Sequence, residues 1–219
     1  MKQTYTLILI TLGLCLLSCN IMSIEKKYDW ISGACSPKNY PIDVYKGAFV
    51  FEDDSFTPIF GEGQTDVGWG STGPTYSVGP DLKPLPVSLE LYWISYAEGK
   101  FYKGIWQLPQ EKMAALFEQG YTDLFTLKRE TYHWIIAGMA PGGVVVVWVG
   151  GGSSTVEIAR FQAEEAEWPP MKKLVPGNPT LSREGYLKIW DKEAAAYLKE
   201  HGVPYGLWDT YRTRYPWHP

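Results

Sequence analysis

Cysteine and histidine are nearly missing from this 219-residue chain, with three of each, and both scarcities exclude chemistry. Cys15 and Cys19 stand inside or just behind an apolar N-terminal run, which leaves Cys35 alone in the remainder. One thiol cannot close an intramolecular disulfide. Cys35 is therefore expected as a small buried residue near a turn rather than a reactive group. His133 sits beside Trp134 in a strand-like stretch, His201 ends a helix-like one, and His218 is next to the C-terminus. So thin and scattered a supply offers no convergent ligand set, and no metal site is expected. The acidic turn Glu52-Asp53-Asp54 lacks the spacing of a calcium loop.

A basic surplus is also lacking. Twenty Lys and Arg face 24 Asp and Glu, which argues against a nucleic-acid partner and against a polybasic grip on anionic lipid. No Gly-x-Ser-x-Gly elbow, His-Glu-x-x-His pair or phosphate loop occurs, so no catalytic or cofactor-binding residues are assigned, and an enzyme is not expected. Residues 68–73 match Gly-x-Gly-x-x-Gly literally. The dinucleotide fingerprint needs a strand before it and a helix after it. Pro74 follows instead, so this stretch reads as a tight loop around Trp69. Glu90 and Glu98 flank an aromatic strand, and a glycosidase needs two carboxylates about 5–9.5 Å apart. Sequence alone does not place them, and a solvent-facing Glu90 with a turn Glu98 is the plainer reading.

Long hydrophobic runs are lacking too. The longest covers residues 7–17 and is interrupted by Thr11 and Gly13, whereas a spanning helix needs about 20 apolar residues. What is present there is a signal. Lys2 precedes the run, and Leu16-Leu17-Ser18-Cys19 closes it. A plain secretory signal would favour Ala-x-Ala, whereas two apolar residues, a small one and a cysteine form a bacterial lipobox. Cleavage before Cys19 would make it the first residue, its thiol carrying a diacylglyceryl group with palmitate-class chains. Each buried CH₂ contributes about 0.8 kcal/mol and one chain alone is marginal, so several chains make the anchor durable. Similarity to other lipoproteins implies a destination. With Asn20 rather than aspartate after the cysteine, it points to the outer membrane, facing the periplasm.

These readings divide the chain into a signal peptide at 1–18, a lipidated tether at 19–27 and one globular domain at 28–219. The fold class expected is α+β, mainly antiparallel β-sheet with two helices at about 109–119 and 182–201. Residues 87–97 alternate, with Val87, Leu89, Leu91 and Trp93 on one face and Glu90, Tyr92, Ile94 and Tyr96 on the other. Glu98-Gly99 turns the chain into a second strand ending at Leu108. Pro109 opens the first helix and Gly120 stops it. Strands follow at 131–137, 144–149 and 155–161, the middle one apolar on both faces and so central. Residues 164–167 read as a solvated stretch. Tyr186, Trp190, Ala194, Tyr197 and Leu198 stand at helical spacing before Gly202 and Pro204. Ten Trp, fifteen Tyr and eight Phe suggest a β core filled by aromatics more than a row of sugar platforms. Residues 61–86 and 164–176 are the candidate contact surfaces.

Several motifs together resemble one family. They are Tyr40-Pro41, residues 44–47, Trp69-Gly70, residues 95–98 and 101–104, the run from Ala140 to Trp148, Gly202-Val203-Pro204, and Trp208 with Tyr211, Arg212, Arg214 and Tyr215. The chain is similar to the bacterial lipoprotein family called domain of unknown function 2931. The resemblance supplies no catalytic residues. It implies a protein partner, because some members of this and similar lipoprotein groups are immunity partners of type VI secretion phospholipase effectors. The expected function is thus a membrane-held binding protein with a phospholipase toxin as partner. An envelope protein that binds or hydrolyses glycan or peptidoglycan, and a structural envelope lipoprotein, are the competing readings.

Overall fold

Alternating apolar and polar residues produce strands here, and two such sets face each other. The computed structural model describes residues 26–59, 65–73, 75–76, 79–189 and 191–210. The signal, Cys19 and most of its tether lie outside the described residues, as do Trp190, Tyr211, Arg212, Arg214, Tyr215, Trp217 and His218. In chain order the strands begin with β1 (Tyr28–Asp29), β2 (Ile31–Cys35), β3 (Ile42–Val50), β4 (Phe56–Pro58), β5 (Thr75–Tyr76) and β6 (Leu82–Lys83). Then come β7 (Ser88–Ser95), β8 (Lys100–Gln107), helix α1 (Gln110–Gln119), β9 (Tyr121–Thr122), β10 (Arg129–Glu130) and β11 (Trp134–Ala140). After a 3-10 turn at Pro141–Gly143 follow β12 (Val144–Gly151), β13 (Ser154–Gln162) and β14 (Glu164–Ala166). Short helices α2 (Met171–Leu174) and α3 (Arg183–Tyr186) lead to α4 (Lys192–His201) and α5 (Leu207–Thr210).

One sheet runs β13-β12-β11-β2-β5 and the other β14-β8-β7-β3-β4. All pairs are antiparallel except β2 with β11. The expected α+β class with mainly antiparallel sheet is what the chain adopts. The core lies between the sheets. Phe49, Leu89, Leu91, Trp93 and Tyr102 come from one side and Ile135, Ala137, Met139, Val145, Val147 and Val149 from the other. Met113 and Phe117 of α1 close the gap at one edge. As expected, β12 is buried at every residue, and the aromatics largely fill the interior: Trp30, Trp93 and Trp148 are among the largest fully buried side chains.

The first helix matches its expected place, starting one residue after Pro109 and ending at Gly120, whose φ is +59°. The second does not. The span 182–201 splits into α3 and α4, because it holds two N-caps that each start their own helix. Ser182 Oγ accepts from Gly185 N at 3.0 Å, and Asp191 Oδ1 accepts from Glu193 N and Ala194 N at 2.8 and 3.1 Å. Packing requires the break. Tyr186, Leu187 and Ile189 lie on the β7–β8 sheet, whereas Leu198 packs against the opposite sheet. One straight helix could not serve both faces.

Two strand readings also shift, and a break near the N-terminus was not foreseen. Trp30, turned wholly into the core, separates β1 from β2 and donates Nε1–H to Pro84 O at 3.0 Å. The strand expected at 131–137 forms at Trp134–Ala140. Residues 164–166, read as merely solvated, do stay largely exposed, but they pair with β8 as an edge strand.

Candidate functional site

Each sheet has an outer face, and only one is fully covered. On the β2–β11–β12 side, Cys35, Ile136, Val146 and Trp148 point outward under Tyr40, Trp69, Leu198 and Trp208. The 68–73 loop is what holds Trp69 there. Gly68, Gly70 and Gly73 have φ of +113°, +77° and +58°, values that glycine alone adopts without strain. The Trp69 and Trp148 rings meet edge to face at 5.0 Å. They lie over Gly138, where a Cβ would come within 2.4 Å of Trp148 and 3.0 Å of Trp69. The literal dinucleotide match is thus a packing loop, as expected. Burial pushes the Cys35 thiol up to about 12, so it stays protonated.

The outer face of the other sheet is divided. Near the β7–β8 turn it is roofed by the strap between β14 and α4. Trp168 sits edge-on to Phe101 at 5.0 Å, Tyr186 stacks on Tyr96 at 6.0 Å, and Arg183 lies over the Trp168 ring at 5.0 Å. Asp43 is enclosed beneath this roof. Burial lifts its carboxyl to about 6, against a smaller opposing pull from its hydrogen bond with Tyr186. Nearer to Val50 and Gln107 the roof ends, and a groove of about 910 Å³ opens. Ile105 and Phe56 line it, 67% and 63% exposed, with Lys46, Lys103, Glu90 and Glu164 around them. Among the described residues none of these four charges forms an ion pair.

The two carboxylates weighed as a catalytic pair are held apart. Glu90 borders the groove, while Glu98 lies in the turn beyond Ser95. At about 3.3 Å per residue their backbones stand at least about 17 Å apart along the strand. Glu98 is a clamp. Its Oε1 accepts from Tyr102 and Tyr205 hydroxyls at 2.9 and 3.0 Å, and its Oε2 from Gly142 N at 3.0 Å. The acidic turn folds on itself, with Asp53 Oδ1 accepting from Ser55 N at 3.0 Å. His133 is exposed within 3.3 Å of Thr131, and His201 Nδ1 stands 3.1 Å from Tyr197 O at the end of α4. No cluster of metal-ligating side chains occurs among the described residues.

The suggested contact stretches fare unequally. In the described part of 61–86, Thr65 bridges to Ile42 and Leu82–Lys83 pairs with β1, so this stretch is built into the fold. The 164–176 stretch does border the groove, through Glu164. Sequence reading missed Ile105 and Phe56. The available signal was an isoleucine on the charged face of an alternating strand, opposite Glu90 in register.

The motifs behind the family resemblance converge on the same frame. Tyr40 meets Trp208 at 4.9 Å and donates its hydroxyl to Gly202 O at 2.9 Å. Glu98 joins the β7–β8 turn to Gly142 and Tyr205. These contacts define an α+β sandwich closed by its own C-terminal segment. Residues 18–206 match the family model described as Protein of unknown function (DUF2931), and the chain belongs to that family. No curated protein and no solved structure matches the chain.

Proposed function

We propose that this protein is a non-catalytic docking protein anchored through acylated Cys19 to the outer membrane, facing the periplasm, and that it acts as an immunity factor against a phospholipase effector of type VI secretion. The observation that carries this reading is the open groove on the β3–β7–β8 face. Exposed apolar side chains, Ile105 on β8 and Phe56 on β4, stand on either side of Glu90 and Ala48, and Lys46, Lys103, Asp54 and Glu164 lie around them, with none of these charges in an ion pair among the described residues. Exposed apolar side chains interleaved with polar ones are what a non-obligate protein interface presents. Charges of both signs suit a protein partner better than a polyanion, which would select one sign. The lipobox and the family resemblance supply the compartment and the class of partner.

The test is co-expression with a cognate phospholipase directed to the periplasm. The expected result is protection by the wild-type chain and loss of protection by Ile105→Asp and Phe56→Asp, both expected to fold because these side chains are mostly exposed. Equal lysis with and without this protein overturns the proposal.

A further inference from the structure

The hairpin of β9 and β10 carries an apolar tip. Leu124, Phe125 and Leu127 are 56%, 78% and 78% exposed. Exposed apolar side chains on a loop are ordinary when the loop is loose, but this one is held throughout. Asp123 N donates to Lys128 O at 2.8 Å and Leu127 N to Asp123 O at 2.9 Å. Leu124 N donates to Ser153 Oγ at 2.9 Å, and Phe125 N and Thr126 N to Asp123 Oδ1 at 3.1 and 2.8 Å. Lys128 N donates to Thr126 Oγ1 at 3.3 Å. Every backbone N–H from 123 to 128 therefore has a protein acceptor. Water is not needed to satisfy these donors, which removes that part of the cost of leaving water. The Asp123 side chain that organises the turn is itself buried, so the charge lies behind the tip.

Leu127 adds a second observation. Its φ is +56°, a conformation that glycine takes freely and that is an outlier for a bulky L side chain. The turn tolerates this strain at a position where the side chain gains little burial from the protein itself.

The topology places the hairpin and the start of the described chain, where the tether ends, at the same end of the sandwich. Ile31 is the register partner of Trp134, and Trp134 of Gly150, so β2 begins at the Gly150 end of its sheet. Tyr121 lies against Gly151 at that same end. Lys26 Nζ pairs with Glu118 at 2.7 Å, and the Tyr28 hydroxyl donates to Glu118 at 3.0 Å. Leu124 follows Glu118 by six residues and Lys26 follows Cys19 by seven, so each separation spans at most about 25 Å. Lys27, Lys128 and Arg129 are exposed around this end together with Asp29 and Glu130, so charge of neither sign dominates and the apolar side chains of the tip carry the contact.

We infer that the 124–127 tip inserts into the interfacial layer of the bilayer, as a second membrane contact beside the anchor, and so fixes how the domain stands on the membrane. The inference rests on the anchor reading only for what brings the tip to the lipid. Insertion itself follows from the tip. The clamp at Glu98 and Gly142 lies at the far end of β12, about 26 Å away along the strand, and faces away from the membrane.

The test uses the full mature chain recovered from bacterial membranes and reconstituted in vesicles of phosphatidylethanolamine and phosphatidylglycerol. Leu124→Cys is coupled to an environment-sensitive fluorophore, and Lys199→Cys on α4 serves as the distal control. The buried Cys35 thiol does not compete for the label. A blue shift at 124, quenched by brominated acyl chains and absent at 199, is the expected result, and a label at 124 that remains in water on acylated protein overturns the inference. Mass spectrometry of Cys19 separates the two readings. If Cys19 carries no acyl chain, the anchor reading fails, and the tip is then tested by flotation of the unlipidated full chain with the same vesicles. Replacing Leu127 by glycine (Leu127→Gly), which suits the backbone and keeps the fold, is expected to lower flotation about tenfold. Equal flotation of that variant and the wild type overturns the inference.

Discussion

The two outer faces of the sandwich belong to strands of different pattern, apolar on both faces in β11 and β12 and alternating in β7 and β8, and they end differently. On the β11–β12 face the outward residues are Ile136, Val146 and Trp148, and the chain covers them with Trp69, Leu198 and Trp208. On the β7–β8 face the outward row changes along its length, from Ile94 and Phe101 to Tyr92 and Lys103, and then to Glu90 and Ile105. The roof follows that change. Trp168, Tyr186 and Leu187 cover the apolar end, and the chain leaves the charged end open. A sheet face needs a cover only as far as it is apolar. The open half is thus stable by itself and free to take a cover from another molecule.

The sharpest way to break this comparison is to remove a cover-dependent side chain. Trp148 is 1% exposed and locked beneath Trp69. Trp148→Ala is expected to cost about 4 kcal/mol through lost burial and the cavity left behind, measured as the shift in urea midpoint at constant slope. A loss below about 1 kcal/mol would mean that this face is not part of the core.

The roof over the other face has a pH signature. Burial raises Asp43 from 3.8 to about 6. Between those values the folded chain keeps a proton that the unfolded chain has released. The stability from that proton is complete below about pH 4 and is lost as pH rises through about 6, to a total of about 3 kcal/mol. Asp43→Asn keeps an acceptor for Tyr186 and removes the buried charge. It is expected to raise stability by about 2 kcal/mol at pH 8, which is several degrees in thermal midpoint, and to change nothing near pH 4. An equal effect at both pH values would place Asp43 in solvent rather than under the roof.

How much of this was legible depended on distance along the chain. The β7–β8 hairpin could be read because alternation and the Glu98-Gly99 turn lie within twenty residues. So could β12, whose unbroken apolar run fits only a strand covered on both faces. The break between α3 and α4 was not legible from periodicity. Tyr186 and Leu198 fit one helical stripe in sequence, but they answer to different sheets in space. The separation of Glu90 and Glu98 is fixed by strand geometry once the strand is known. The groove depends on where a strap more than 60 residues downstream of β8's start comes to rest, and no local pattern encodes that.

The smallest expected effect on stability carries the most weight for function. Ile105 is 67% exposed and stands opposite Glu90 with no roof above it. Ile105→Ser removes little buried area, so its unfolding free energy should match the wild type within about 0.5 kcal/mol. In the co-expression assay the same change takes an apolar anchor from the proposed interface, where truncation of a hot-spot residue costs about 2 kcal/mol or more in binding. A residue that served the fold would show the reverse order, with stability falling first and protection following it. Unchanged stability with lost protection would separate the open half of this face from the covered half by function as well as by packing. Unchanged protection would mean that the partner docks elsewhere and that the groove is only an unroofed stretch of sheet.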